Sequence, residues 1–108
     1  MRAVKRQPRT VLTEENLRKY LNEETVKLNL EHHYWLKDSF LSKLGRMAPN
    51  LRRLSLRRLK ITNDSFYGIA KNLTRGVLER LDISDCPFIG KSSVLMFLEQ
   101  CGESCRYF

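Results

Sequence analysis

The chain has 108 residues, which fits one small domain, and 42% of them are hydrophobic. That fraction suffices for a packed core and excludes global disorder. Its 20 lysines and arginines against 12 aspartates and glutamates give a net charge of +8, which predicts attraction to acidic protein, nucleic acid or phospholipid without choosing among them. No apolar run approaches the roughly 18 residues that a membrane span requires, so we expect a soluble chain.

The chain begins with a basic arm, residues 1–11, which we expect to be disordered or bound to a partner. Its cations are Arg2, Lys5, Arg6 and Arg9, and it contains no acidic residue. A transit peptide or a nuclear signal has a similar composition. No amphipathic pattern follows from the arm, however, and this favours the first interpretation.

Residues 12–24 predict one short helix with its following turn. Thr13 is a suitable N-cap, and Glu14 and Glu15 favour the positive end of the helix dipole. Leu17 and Leu21 form one apolar stripe. We interpret the segment as a cap over the open core of the repeats that follow, because stacked repeats require one.

The rest of the chain, residues 25–108, repeats with a nearly constant period. The step from Leu28 to Leu54 is 26 residues, that from Leu54 to Leu81 is 27, and another 27 reaches Phe108. The period predicts about three repeats and the start of a fourth strand. In each repeat, alternating apolar residues indicate a strand, and apolar residues at helical spacing follow. The strand segments are residues 27–31, 53–57 and 80–84.

The helical half of each repeat begins at an equivalent place. The predicted N-cap residues are Asp38 or Ser39, Asn63 or Asp64, and Ser92. The predicted breaks before the next strands are Pro49, Gly76 and Gly102. The alignment puts four aromatic residues on core positions, namely Trp35, Phe40, Phe66 and Phe88.

Two stretches resemble the cysteine-containing leucine-rich repeat of F-box/leucine-rich-repeat proteins. They read Leu51-x-x-Leu54-x-Leu56-x-x-Leu59-x-Ile61 and Leu78-x-x-Leu81-x-Ile83-x-x-Cys86-x-x-Ile89. The resemblance implies an α/β fold, a short right-handed leucine-rich-repeat solenoid with parallel strands on the concave side and helices on the convex side. Cys86 matches the strand-end cysteine of this repeat type, and Cys101 resembles its second cysteine.

The chain also departs from that pattern. Leu59 and His33 stand where the other two repeats would carry the first cysteine, and repeat two is one residue short before Ile61. An F-box is a helical bundle, and only one short helix precedes the repeats. The substrate-recognition part of a ubiquitin-ligase adaptor is therefore kept as an alternative function and is not the preferred one.

Alternation within the strands identifies the residues that face outward on the concave sheet. They form three columns: Lys27, Arg53 and Arg80, with Tyr107 next in line; Asn29, Ser55 and Asp82; and Glu31, Arg57 and Ser84. Parallel neighbours lie about 4.8 Å apart, so three cations in register repel one another. The first column suggests an acidic partner. The alternative is that Glu31 and Asp82 neutralise the neighbouring arginines and that the column is simply solvated.

A second basic area surrounds repeat two and consists of Arg52, Arg57, Arg58 and Lys60. Together with the basic arm it could bind a phosphate backbone. The aromatic residues assigned to the core would be unavailable for base stacking, and no RNA- or DNA-binding motif accompanies the charge. A basic RNA-associated subunit of a ribonucleoprotein is therefore the second hypothesis.

Residues that could carry chemistry are few. His33 and Trp35 are expected to be packed and His32 and Tyr34 to lie at the turn surface. Adjacent histidines on an extended segment point apart, so we predict no metal site. No Gly-rich phosphate loop, nucleophile with a base or paired carboxylates appears, and the sequence predicts neither a cofactor nor an enzyme.

The three cysteines bear on packing and compartment. We expect Cys86 and Cys101 to be small apolar fillers of the core and Cys105 to be the most reactive thiol. An odd number of cysteines without a secretory signal predicts a reducing, intracellular compartment such as the cytoplasm, nucleus, cilium or mitochondrion.

The preferred function is a non-catalytic protein–protein interaction module that serves as a scaffold or assembly subunit of a larger complex. Its concave strands would bind a protein partner with an acidic surface. Because the last strand has no cap after it, we expect a partner or missing sequence to cover that edge.

Overall fold

The structure is a computed structural model that describes residues 13–101 and 106–107. The basic arm, Gly102, Cys105 and the side chain of Cys101 lie outside the described residues, as do the predictions made for them. In chain order the elements are α1 (Glu14–Tyr20), β1 (Lys27–Asn29), α2 (Asp38–Leu41), α3 (Leu44–Met47), β2 (Arg53–Ser55), α4 (Asn63–Asn72), β3 (Arg80–Asp82), α5 (Lys91–Cys101) and β4 (Arg106–Tyr107).

The strands form one parallel sheet in the order β1-β2-β3-β4. β1 to β3 begin at the predicted positions but are three residues long instead of five. In β1 and β3 the side chain of the last residue ends the strand. The Oδ1 atoms of Asn29 and Asp82 accept hydrogen bonds from the N–H groups of Glu31 and Ser84, both at 2.9 Å. Each bond turns the chain two residues after the side chain that accepts it.

The register of β4 differs from the prediction. Arg106 pairs with Arg80, and Tyr107 pairs with Leu81. Arg106 therefore takes the place expected for Tyr107 in the first column. The step from Arg80 to Arg106 is 26 residues, equal to the first step of the repeat, whereas the prediction extends the second step of 27.

Helix α1 confirms the prediction of a short helix capped by Thr13. The Thr13 hydroxyl accepts a hydrogen bond from the N–H of Asn16 at 3.0 Å. Leu17 and Leu21 are buried and belong to the same hydrophobic core as the strands and the later helices. The helix thus adds a layer to the core ahead of α2.

The predicted N-caps of the later helices are wrong. The residue before α2 is Lys37, whose side chain makes no capping bond. The cap of α4 is Thr62, which accepts from the N–H of Ser65 at 3.3 Å. Ser92 lies inside α5, which begins at Lys91. In α2 and α4 the predicted caps, Asp38 and Asn63, are instead the first helical residues. Their side chains accept hydrogen bonds from the backbone that precedes α4 and α5, respectively.

These contacts recur along the molecule as a helix-start ladder. The side chains at the starts of α1, α2 and α4 accept hydrogen bonds from the backbone just before α2, α4 and α5, respectively, and α3 is not part of the ladder. Glu14 accepts from the N–H of Lys37 at 2.8 Å. Asp38 accepts from the N–H of Thr62 at 2.8 Å, and Asn63 accepts from that of Gly90 at 3.0 Å. The ladder includes α1, so this helix is joined to the start of α2 by the same kind of hydrogen bond that joins the later helices.

The core lies between the sheet and the helices. Leu54 and Leu81 are buried, and Leu28 packs against them. On the helical side the rings of Phe66 and Phe97 lie with centroids 4.2 Å apart and planes inclined by 14°. One leucine from each of β1 to β3 and the inner faces of the helices therefore share one continuous core.

Trp35 and Phe88 are not in this core, contrary to the prediction. Their exposed fractions are 51% and 55%, whereas Phe40 and Phe66 are buried as predicted. Leu36, the residue after Trp35, is buried in the first loop, and Ile89, the residue after Phe88, is partly buried and packs against the core in the third. The loop of repeat two is one residue shorter, so Ile61 matches Leu36 and Ile89, and the aromatic residues occupy the extra position.

Cys86 confirms its prediction as a small core residue. It is buried, and its Sγ donates to the carbonyl oxygen of Leu56 at 3.0 Å. His32 and Tyr34 are exposed as predicted, while His33 is half-buried. None of the helices within the described ranges is long and apolar enough to cross a membrane.

Candidate functional site

The sheet brings the first predicted column together. Lys27, Arg53 and Arg80 are direct partners in the register of β1 to β3, and all three side chains are exposed. Asn29, Ser55 and Asp82 form the second column beside them in the same register. Parallel pairing therefore places three cations at intervals of about 4.8 Å on one face.

The two columns enclose a shallow depression of about 310 Å³ on the face of the sheet. It is lined by Lys27, Leu28, Asn29, Arg53, Leu54, Ser55, Arg80 and Asp82. An apolar floor surrounded by polar groups is a common form of binding surface. The six outward residues predicted for the first two columns are all part of it.

The acidic residues expected to neutralise the first column do not pair with it. Glu31 pairs with Arg57 at 3.9 Å, in the third column. The Oδ1 atom of Asp82 accepts from the N–H and hydroxyl of Ser84 at 2.9 and 2.6 Å. Within the described residues no ion pair includes a cation of the first column. The column therefore remains positively charged.

The third column lies beyond the strands and is less available than predicted. Glu31, Arg57 and Ser84 are half-buried. The Nε atom of Arg57 is buried without a hydrogen-bond partner. None of these three residues lines the depression. The candidate site therefore consists of the first two columns.

The second basic area is largely paired. Arg52 lies 4.0 Å from Glu79, Arg58 lies 3.8 Å from Asp85, and Arg57 is held by Glu31. Lys60 is exposed, and no ion pair among the described residues includes it. This area does not form the continuous phosphate-binding surface that its sequence suggests.

Sequence reasoning missed a second surface, which we call the loop edge. It consists of exposed residues in the loops that follow β1, β2 and β3 and at the first position of α5: Tyr34, Trp35, Lys37, Lys60, Phe88 and Lys91. The strands are parallel, so these loops leave the sheet at the same edge. The sequence does contain a sign of this surface, because the loop before Ile61 is one residue shorter than the loops before Leu36 and Ile89. Trp35 and Phe88 occupy the additional position of the two longer loops.

The histidine pair offers no metal site. Burial lowers the pKa of His33, and the charge of His32 lowers it further, against a hydrogen bond with the Leu30 backbone. The His33 ring lies 5.1 Å from that of Trp35. In the described part of the chain no group of three or more His, Cys, Asp or Glu side chains could hold a metal ion.

Comparison of the chain with family models, with curated proteins and with solved structures finds no match in any of the three.

Proposed function

We propose that the chain is a non-catalytic protein-interaction module of the leucine-rich-repeat type, whose concave sheet binds an acidic surface of a partner protein. In this proposal the units form a short right-handed solenoid that serves as a scaffold or assembly subunit. The observation that carries it is the in-register column of Lys27, Arg53 and Arg80 beside an open depression, where none of the three cations forms an ion pair with a described residue.

Three like charges in register destabilise the free sheet, because the adjacent strands that carry them lie about 4.8 Å apart. An acidic partner relieves that repulsion when it binds. Electrostatic complementarity of this kind favours the correct partner and accelerates its association. Leu28, which lines the depression and is only partly buried, adds apolar area that a packed interface can bury.

Repeating turns support the solenoid proposal. The N–H groups of His33, Leu59 and Cys86 donate to the carbonyl oxygens three residues before them. Arg58 and Asp85, at equivalent positions of consecutive units, share a left-handed backbone conformation with φ of 67° and 59°. The same turn hydrogen bond therefore follows each of the first three strands, and the same left-handed residue follows β2 and β3.

The test is a titration of the full chain with an acidic peptide in which glutamate alternates with alanine. Amide resonances of β1, β2 and β3 should shift in the NMR spectrum. Arg53→Glu, at the centre of the column, should weaken binding at least about tenfold, because it places like charge against the peptide.

Arg46→Glu is the matched control, since Arg46 is exposed on α3, outside the depression, and the change in net charge is the same. The control should bind nearly as tightly as the original chain. Equal loss of affinity in both variants would mean that net charge alone attracts the peptide, and the proposal would be wrong.

A further inference from the structure

We propose that the loop edge binds single-stranded nucleic acid, with Trp35 and Phe88 stacking on bases and Lys37, Lys60 and Lys91 contacting phosphates. This surface is separate from the concave face, and the inference does not rest on the proposed function. Its starting point is the exposure of two large aromatic side chains at equivalent positions of two loops.

The aromatic residues supply stacking surfaces. Trp35 is 51% exposed and Phe88 is 55% exposed, and Tyr34 is 60% exposed beside Trp35. Such exposure leaves apolar ring surface in water, which costs free energy unless a ligand covers it. Bases stack on aromatic side chains with little dependence on sequence.

The cations of the loop edge are available. The two acidic residues in these loops, Glu31 and Asp85, are already paired with arginines. Lys37, Lys60 and Lys91 are exposed, and the described part of the chain contains no ion pair with any of them. The three lysines therefore carry positive charge that no described ion pair neutralises. The carboxylate that shares the cleft beside Lys60 is that of Asp38, whose oxygens accept hydrogen bonds from Thr62 and Ser65.

The alternation of aromatic rings and lysines across the three loops favours a nucleic acid strand over a membrane surface as the ligand. The loops that carry Trp35 and Phe88 are two strand spacings apart, about 10 Å, and the loop with Lys60 lies between them. Tyr34 and Lys60 border a cleft of about 230 Å³. Alternation of ring and cation matches alternating bases and phosphates, whereas insertion into a membrane interface requires a continuous apolar face.

Trp35 is the single tryptophan of the chain, so its fluorescence reports directly on the loop edge. The experiment titrates the full chain with a single-stranded RNA of about 12 nucleotides. Stacking should quench the tryptophan fluorescence. Three phosphate contacts predict that log K falls with log salt with a slope of about −2. A blunt duplex of the same sequence should quench far less, because its bases are already stacked.

Phe88→Ala should weaken binding about tenfold, and Phe88→Tyr, which keeps an aromatic ring, should restore it. Lys60→Ala should reduce the salt slope by about 0.7. Tyr20→Ala is the matched control, because Tyr20 is exposed on α1, away from the loop edge. It should bind like the original chain.

Three results would overturn the inference. The first is unchanged fluorescence at saturating RNA, and the second is equal binding by Phe88→Ala and the original chain. The third uses vesicles of phosphatidylserine and phosphatidylcholine. A blue shift of the Trp35 emission with these vesicles, together with no quenching by RNA, would assign the loop edge to a membrane surface instead.

Discussion

Asp38 joins two helices through one carboxylate. Its Oδ1 atom accepts from the N–H of Thr62 at 2.8 Å, and its Oδ2 atom accepts from the hydroxyls of Thr62 and Ser65 at 2.8 and 2.6 Å. Burial raises the pKa of Asp38, but these hydrogen bonds together lower it below its ordinary value. The residue therefore stabilises the contact between α2 and α4 in its ionised form.

Asp38→Ala should lower the free energy of unfolding at pH 7 by about 1–3 kcal/mol, because donors of Thr62 and Ser65 lose a charged acceptor. Urea denaturation followed by circular dichroism measures the loss. Asp64→Ala, exposed in the first turn of α4, is the control and should cost less than about 1 kcal/mol. A comparable loss in both variants would contradict the role assigned to Asp38.

The lowered pKa also fixes the sign of the pH dependence. The contribution of Asp38 is fully present above the unfolded-state pKa of about 3.9 and is lost as the pH falls through the lower pKa of the folded state. The difference in unfolding free energy between the original chain and Asp38→Ala should therefore shrink below about pH 4. A difference that stays constant down to the acid transition would exclude an ionised Asp38.

At the scale of elements, the helices approach one another closely where glycine allows it. A Cβ atom on Gly45 of α3 would overlap the carbonyl oxygen of Ile69 in α4 and lie 3.2 Å from the Cβ of Asn72. Backbone cannot move away as a flexible side chain can. The spacing between α3 and α4 thus depends on the absence of a side chain at position 45.

Gly45→Ala should lower the free energy of unfolding by about 1–3 kcal/mol, the usual cost of overpacking a core. Gly90→Ala provides the control, because a Cβ at position 90 meets no atom within 4 Å. Thermal unfolding of both variants separates the two cases. If Gly45→Ala melts at or above the temperature of Gly90→Ala, the proposed close packing is wrong.

The sequence indicated which elements occur more clearly than it indicated their ends. Alternation around Leu28, Leu54 and Leu81 located β1, β2 and β3, because a period of two is a property of the strand itself. The caps could not be found in this way. Asp38 and Asn63 are good capping residues by type, yet their side chains serve a neighbouring helix that is distant in sequence.

Some features of the candidate site could likewise be predicted from the sequence, and others could not. The first two columns followed from register, since parallel pairing of equivalent residues needs only the repeat period. The ion pair of Arg57 with Glu31 was not predictable, because it depends on the side-chain conformations of two residues in neighbouring turns. The exposure of Trp35 followed from a one-residue difference in loop length, which hydrophobicity alone cannot reveal.

The whole molecule carries a net charge of +8, and the first column concentrates part of it on one face. Self-repulsion of this kind destabilises the compact state and is screened by salt. The exposed ion pairs of Arg52 and Arg58 contribute little, since pairs in water have a median worth of about 0–1 kcal/mol. Repulsion should therefore dominate the response to ionic strength.

Raising sodium chloride from about 20 to about 200 mM should raise the melting temperature, because the Debye length falls below the spacing of many charges. Arg53→Glu should respond less than Arg46→Glu, although both change the net charge equally, since only the first removes repulsion within the column. Circular dichroism during heating measures this. A melting temperature that falls with salt would show that ion pairs outweigh repulsion.

In the helix-start ladder each side-chain acceptor precedes its backbone donor in the chain, and the residue at the start of α5 is not an acceptor. Glu14, Asp38 and Asn63 each offer an oxygen atom to the following helix, whereas Lys91 stands at the corresponding first residue of α5. An ammonium group can donate but cannot accept. A helix packed on α5 in the same way would find no acceptor in the side chain of Lys91. Its contact with α5 would therefore need a different hydrogen-bond acceptor from those that Glu14, Asp38 and Asn63 supply.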